Sequence, residues 1–342
     1  MPNEDRILQP QRSPWPHRWA VVLACATFPL IWVGGLVTTT DAGMAVPDWP
    51  TTFGYNPFLY PLSTWFAAPW DIFVEHGHRL LGALVGLLTI ILTVSVVRHD
   101  HRAWMRLLAG AALALVIIQG MLGGMRVRLD ERTLAMLHGC IGPLFFAVTV
   151  ALAVVTCGRW QGAGPPLAGA RGAHVRRLAV VTCVLVYLQI LLGAVLRHVP
   201  VDEQPDTFVL AVQFHLLMAG IVSIHILWLA WSVLRRFRRV PPLGRLAGGL
   251  VALIFVQLAL GAGTWIVNYA VPQWAAGWLP ASVGGGAIVH GGWLQTHVVT
   301  AHAAIGSALL AVSLSLALHS LRLLAAPQTA GRLAARKLEP AR

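Results

Sequence analysis

Apolar residues run in eight stretches along the chain, at about 20–37, 78–97, 107–125, 134–156, 178–196, 208–234, 246–267 and 294–318, and polar segments between them carry most of the charge. Each stretch approaches the roughly 20 residues with which a helix crosses about 30 Å of hydrocarbon. There, only helices and closed barrels satisfy their own backbone groups. The pattern predicts an all-α polytopic membrane protein of eight transmembrane helices, with both termini on one side. Composition agrees: 57% of residues are hydrophobic and 11% charged, a balance that excludes an ordinary soluble domain.

The formal charge of +12 would suit a nucleic-acid partner, but its placement points elsewhere. Basic residues gather in alternate polar segments: Arg6, Arg12 and Arg18; Arg98, Arg102 and Arg106; Arg159, Arg171, Arg176 and Arg177; Arg235, Arg236, Arg238, Arg239 and Arg245; and Arg322, Arg332, Arg336, Lys337 and Arg342. The opposite segments hold Arg126, Arg128, Arg132 and Arg197 among nine carboxylates that include Asp41, Asp48, Glu75 and Glu203. The positive-inside rule then puts both termini in the cytoplasm, in the cell membrane, with anionic lipid rather than nucleic acid as the secondary contact. The polar, proline-containing start lacks the pattern of a cleavable signal. Cys25, Cys140, Cys157 and Cys183 fall in or at the inner ends of apolar stretches and read as small buried residues, leaving no loop disulfide or CxxC metal site.

The second half of the chain repeats the first. Leu137-His138-Gly139-Cys140-Ile141-Gly142 of the fourth stretch falls on Ala301-His302-Ala303-Ala304-Ile305-Gly306 of the eighth, and His78 falls on His215. The third, fifth and seventh stretches each carry Gln-x-x-x-Gly, at Gln119/Gly123, Gln189/Gly193 and Gln257/Gly261. The implied architecture is two pseudo-twofold-related four-helix bundles: an N-terminal half at 1–158, a cytoplasmic linker at 159–177, a C-terminal half at 178–325 and a basic cytoplasmic tail at 326–342. Gln-x-x-x-Gly serves either close helix packing with an amide bonded across the interface or a gap that admits a flat macrocycle.

Four histidines, His78, His138, His215 and His302, sit at matching depth near the outer ends of the even-numbered stretches. Ionisable groups inside a membrane are costly and face the bundle interior. Two imidazoles from two helices supply both axial ligands of an iron porphyrin, so each half has the ligands for one haem, with Leu81, Leu137, Phe214 and Leu217 as candidate ring covers. His225 lies on another face of its helix from His215 and is read as a packing or internally hydrogen-bonded residue rather than a ligand. His297 is the rival of His302, while His76, His198 and His290 are read as lying in interface or loop water. Glu75, three residues before His78, shares its helix face. It serves either as a helix-start charge paired with Arg79 or as a carboxylate that moves protons beside the iron. Val212 takes its place in the second half. Arg126, Arg128 and Arg197 are candidate partners for propionates, or solvated surface groups.

The segment Gly34 to Pro50, Gly-Gly-Leu-Val-Thr-Thr-Thr-Asp-Ala-Gly-Met-Ala-Val-Pro-Asp-Trp-Pro, resembles the Gly-x-x-Val-Thr-x-Thr-Gly-Ser-Gly-Leu-x-x-x-x-Trp-Pro signature after the first span of haem A synthases. Glu75-His76-Gly77-His78-Arg79 is similar to that family's Glu-x-x-His-Arg. The resemblance implies oxidation of the C8 methyl of haem O to the formyl of haem A, by successive hydroxylations, for terminal oxidase assembly. It implies that His215 and His302 hold a resident haem b as cofactor, that His78 and His138 surround the substrate haem O, and that Glu75 acts in the oxidation. An external electron donor, haem O synthase and oxidase assembly factors are the implied partners, and homo-oligomerisation stays open. Asp41, Ala42 and Met44 depart from the signature. The outer-loop cysteine pair of many members is absent, which removes a disulfide or thiol relay there. Ala303 follows His302 where an Arg would assist propionates.

Two other classes compete. A bis-histidine dihaem cytochrome would carry electrons only, but its usual pair of histidines on one helix does not occur at these four positions. A transporter would suit the repeat and the Gly284-Gly285-Gly286 loop, yet midplane helix breaks are hard to find.

Overall fold

The computed structural model describes residues 13–167, 169–200, 203–269 and 292–325. The tail at 326–342, His290 and the Gly284-Gly285-Gly286 loop lie outside the described residues. Among the described residues eight long helices form: α1 (Trp15–Thr39), α2 (Trp70–His99), α3 (Ala103–Leu129), α4 (Arg132–Thr156), α5 (Ala170–Arg197), α6 (Pro205–Arg236), α7 (Leu243–Tyr269) and α8 (Trp293–Leu323). All eight are long and apolar enough to span a membrane, so the fold class is the one the hydropathy predicts.

The helices start and stop where local chemistry tells them to. Prolines occupy the first turns of α1 and α6, where a missing N–H costs nothing. The Glu131 carboxylate accepts the Thr133 N–H at the start of α4, and Asp130, in the left-handed region at φ 50°, closes α3. With so short a turn, α3 and α4 must be antiparallel neighbours. The greatest departure from the hydropathy pattern is α2. It begins at Trp70, two turns before the apolar stretch, because Glu75 and His76 look polar in sequence yet are buried under the preceding loop. Likewise α5 begins at Ala170, inside the segment read as a linker, and the short helix Gly158–Gln161 precedes it.

In the first quartet α1 packs on α2, α2 on α3, α3 on α4 and α4 back on α1; α5 to α8 repeat the same ring. The quartets meet along α4 and α8, flanked by contacts of α1 with α8 and of α4 with α5. Accordingly α4 and α8 are the most buried helices. Lipid tails give apolar helices no hydrophobic reason to associate, so close approach of small side chains carries the contact. The buried face of α8 shows this in Thr300, Ala304, Ser307, Ala311 and Ser315. Several hydroxyls on these faces bond within their own helices: Ser315 donates to the Ala311 carbonyl at 2.8 Å and Thr27 to the Leu23 carbonyl at 2.7 Å. The first quartet packs around Leu23, Leu92, Met105 and Leu152, the second around Ile226, Leu229, Leu250 and Leu316. All four cysteines are free thiols. Cys140 is buried, but Cys25 is exposed on α1 and Cys157 and Cys183 are half-buried, so general burial of the thiols is not what forms.

At the end opposite the histidines, arginines hold the connections. Arg102 pairs with Asp100 at 2.6 Å, Arg176 donates to the Leu324 carbonyl, and Arg322 donates to the carbonyls of Ala163 and Gly164. Leu167 exchanges backbone hydrogen bonds with Leu323 and Ala325.

Truncating Leu152, fully buried on α4, to alanine is expected to cost about 2–4 kcal/mol. Gly110→Ala, in open space on α3, is expected to be neutral or to add up to about 1 kcal/mol. Thermal unfolding in detergent, followed by helical signal, checks both, and equal damage from the two would contradict this packing.

Candidate functional site

Each of the four histidines stands against a glycine of the helix before it. A β-carbon at Gly34 would lie 2.9 Å from Cε1 of His78, and one at Gly123, Gly193 or Gly261 would lie 3.1 Å from Cε1 of His138, His215 or His302. The glycine is thus the notch that an imidazole fills. Helix packing, one of the two uses open to Gln-x-x-x-Gly, forms: at each notch the ring of the neighbouring helix fills the space of one side chain, and the same glycines line the cavity described below. Gly34 is a fourth notch that the Gln-x-x-x-Gly pattern does not mark, since Leu30 stands one turn before it in place of a glutamine.

The glutamines lock the register. Gln119 Nε2 donates to the His138 carbonyl at 3.1 Å while the His138 Nδ1 lies 3.1 Å from the Gln119 carbonyl. Gln189 Nε2 donates to the His215 carbonyl at 3.1 Å and touches the ring at 3.2 Å. Gln257 reaches Gly306, one turn beyond His302. Among the described residues, the Oε1 atoms of all three glutamines and Nδ1 of His78 are buried without hydrogen-bond partners. Such orphans are uncommon in a finished interior and mark side chains with bonding capacity left to offer.

The histidines come together in twos. The ring centroids of His78 and His138 are 6.3 Å apart with planes at 85°; those of His215 and His302 are 6.4 Å apart at 65°. An imidazole nitrogen coordinates a metal at about 2 Å, so two rings on opposite sides of one metal ion, as in axial ligation of a porphyrin iron, bring their centroids to roughly 6–6.5 Å. Both pairs fit that demand. A single continuous cavity of about 2630 Å³ is lined by all four rings and by Leu30, Val116, Phe145, Ile190 and Leu258. It has room for more than one large planar ligand. The expected ring covers Leu137, Phe214 and Leu217 are instead exposed on the outer surface, because their positions on the helix point away from the notch.

The rival histidines separate. His297 packs against Trp293 and Trp32, with centroids 3.9 and 6.5 Å away, and His302 faces His215. The His225 Nδ1 lies 2.9 Å from the Thr182 hydroxyl and its ring meets Trp228 edge-on. The reading of His76 as an interface residue is overturned: it is 1% exposed, 3.1 Å from the Thr52 hydroxyl and enclosed by Tyr60 and Trp65. Aromatic residues in the loop after α1 were the available signal. His198 is half-buried, its Nδ1 2.8 Å from the Ala194 carbonyl.

Glu75 does what the charge-pair alternative requires. It is 3% exposed, its Oε1 accepts Arg79 Nη2 at 2.7 Å, and its Oε2 accepts the Val46 N–H at 2.8 Å. It also lines the cavity beside His78. Arg126 and Arg197 line the cavity as well, and Arg197 donates to the Thr39 hydroxyl at 2.6 Å, tying the two quartets together. Arg128 is exposed on α3 and does not line it. Asp48 lies in the loop above. Partial burial raises its pKa, but hydrogen bonds from the N–H groups of Gly54 and Phe53 and from Thr51 outweigh burial and hold the carboxylate below its usual 3.8. Its contribution to loop stability is therefore present above that value and lost as pH falls through the lowered one.

The COX15-CtaA family profile, described as cytochrome oxidase assembly protein, matches residues 17–201. The chain belongs to this family. Curated relatives named Heme A synthase include that of Symbiobacterium thermophilum, 30% identical over 259 residues covering 68% of this chain and 79% of the relative. That of Exiguobacterium sibiricum is 27% identical over 272 residues, covering 73% and 86%, and that of another Exiguobacterium is 28% identical over 255, covering 69% and 77%. The family profile takes in Glu75, His78 and His138; the alignments to these relatives cover more of the chain than the profile does.

If this COX15-CtaA chain needs its glycine notches, Gly193→Val will displace His215 and lower thermal stability by roughly 1–3 kcal/mol through overpacking. Gly220→Ala, with open space around it on α6, will not, and equal melting temperatures for the two variants would count against the notch.

Proposed function

We propose that this membrane protein is a haem A synthase, an oxidoreductase that converts the C8 methyl of haem O to the formyl of haem A for cytochrome oxidase assembly. The observation that carries the proposal is the pair of histidine couples, each at the separation a shared metal ion demands, inside one cavity of a COX15-CtaA chain. Four-helix units of the first and second halves take different parts in it: His78 and His138 hold the substrate haem, and His215 and His302 hold a resident haem b. When bound, that haem b supplies one-electron transfer.

The rest falls to the chain's own side chains. Gln119 and Gln189 fix the heights of His138 and His215 against their neighbouring helices, as groups behind metal ligands do. Glu75 places a carboxylate on the wall of the substrate site, where it accepts or returns a proton during oxidation of the methyl group. Arg126 and Arg197 present positive charge at the outer end of the cavity, suited to the propionates of either haem. The protein sits in the cell membrane with both termini in the cytoplasm, receives haem O from a haem O synthase and draws electrons from an external donor.

Expression beside a haem O source, in a host without its own haem A synthase, tests this by extraction and mass detection of the haems. Haem A or its hydroxymethyl intermediate is expected. A folded protein that carries haem b and leaves haem O unchanged with redox partners supplied would favour a dihaem electron carrier. His215→Ala and His302→Ala are expected each to lose the low-spin spectrum of the resident haem. Glu75→Ala is expected to keep that spectrum while haem A falls at least tenfold, and undiminished haem A would dismiss the carboxylate from the chemistry.

A further inference from the structure

The loop after α1 folds back over the first histidine pair, and one side chain holds most of it. Arg79 follows His78 directly on α2. Its Nη1 donates to the carbonyls of Asp48 at 2.6 Å and Thr51 at 2.9 Å, and its Nη2 to the carbonyl of Val46 at 2.7 Å and to Glu75 Oε1 at 2.7 Å. Glu75 completes the circuit by accepting the Val46 N–H at 2.8 Å. Val46 is fully buried and Thr52 beneath it meets His76.

The same strap touches the opposite wall. The Trp49 ring lies where a β-carbon of Gly124 would be, next to the Gly123 notch of His138, and the Arg126 guanidinium covers Gly43 in the same way. The second half lacks the equivalents of the clamp, since Val212 stands at the position of Glu75 and Leu216 at that of Arg79.

We propose that Arg79 is a positioning residue: through Glu75 and three backbone carbonyls it locks the strap of residues 42–55 to the helix that carries His78, and so sets the roof of the first haem site. A forked, permanently charged guanidinium is suited to this, because it directs several donors at fixed angles and stays charged when half-buried. Its loss strands three carbonyls and a carboxylate beside an apolar cavity, which is costly enough to lift the strap. Glu75 thereby has a second task, distinct from proton transfer, and a loss of activity on its truncation has two separable causes. The part of this inference that concerns haem rests on the first pair being the substrate site.

Hydrogen–deuterium exchange of the full-length protein in detergent, read by mass spectrometry, tests the clamp without reference to activity. Peptides covering 42–55 are expected to exchange at least tenfold faster in Arg79→Leu than in the unaltered protein, with α4 and the second quartet unchanged. Arg79→Lys is expected to fall between, since one ammonium cannot serve four acceptors at once. Glu75→Gln keeps one acceptor oxygen and sets an amide donor where the other accepted, so it loses the bond from either Arg79 or the Val46 N–H; exchange of the strap is expected to fall between the unaltered protein and Arg79→Leu. Exchange in Arg79→Leu within twofold of the unaltered protein overturns the clamp. Should α4 and the second quartet also exchange faster, Arg79→Leu has unfolded and Arg79→Lys decides, protection of the strap equal to the unaltered protein then overturning the clamp.

A second readout is haem O retention: Arg79→Leu is expected to lose it while the low-spin spectrum of the second pair persists. A lifted strap with haem O held and oxidised as before overturns the positioning role. If the unaltered protein neither binds nor oxidises haem O, the functional proposal fails, and the exchange data still decide the clamp.

Discussion

Four imidazoles stand inside an apolar bundle, and each can do so only because a glycine on the next helix leaves the space of one side chain. That exchange of volume governs the rest. It brings α1 to α2, α3 to α4, α5 to α6 and α7 to α8 at one depth, and it aims the rings across their quartets so that His78 meets His138 and His215 meets His302. Polar rings in hydrocarbon would be a liability if left to themselves. Held in pairs at one separation, they become a site.

The two halves then diverge by what covers them. The first is closed by a loop whose backbone bonds run to the same helix as its ligand, through Arg79 and Glu75. Movement of that roof and movement of the ligand helix are consequently coupled. Val212 and Leu216 leave the second half without such a connection.

Charge is distributed by the same logic. At the end away from the histidines, arginines satisfy carbonyls of the connecting segments, while Arg126 and Arg197 turn inward to the cavity. Arg197 also binds α1 from α5, so the outer ends of the quartets are joined at the place where anionic groups of a ligand would lie.

Eight helices, the matched depth of four histidines and the likeness of the two halves were legible in the chain, because hydropathy, the length of a span and helical period are local properties that a segment displays wherever it packs. The start of α2 was hidden because burial, not hydropathy, shelters Glu75 and His76. That His297 turns to Trp32 and Trp293, and that the glycine notches are filled by rings, were decided by the tertiary structure alone. The ion pair of Glu75 with Arg79, one of the two uses open to the carboxylate, likewise forms only in the fold. These outcomes depend on contacts between distant segments, such as Trp49 with Gly124 and Gly193 with His215, and shape complementarity between two helices has no trace in either sequence taken singly.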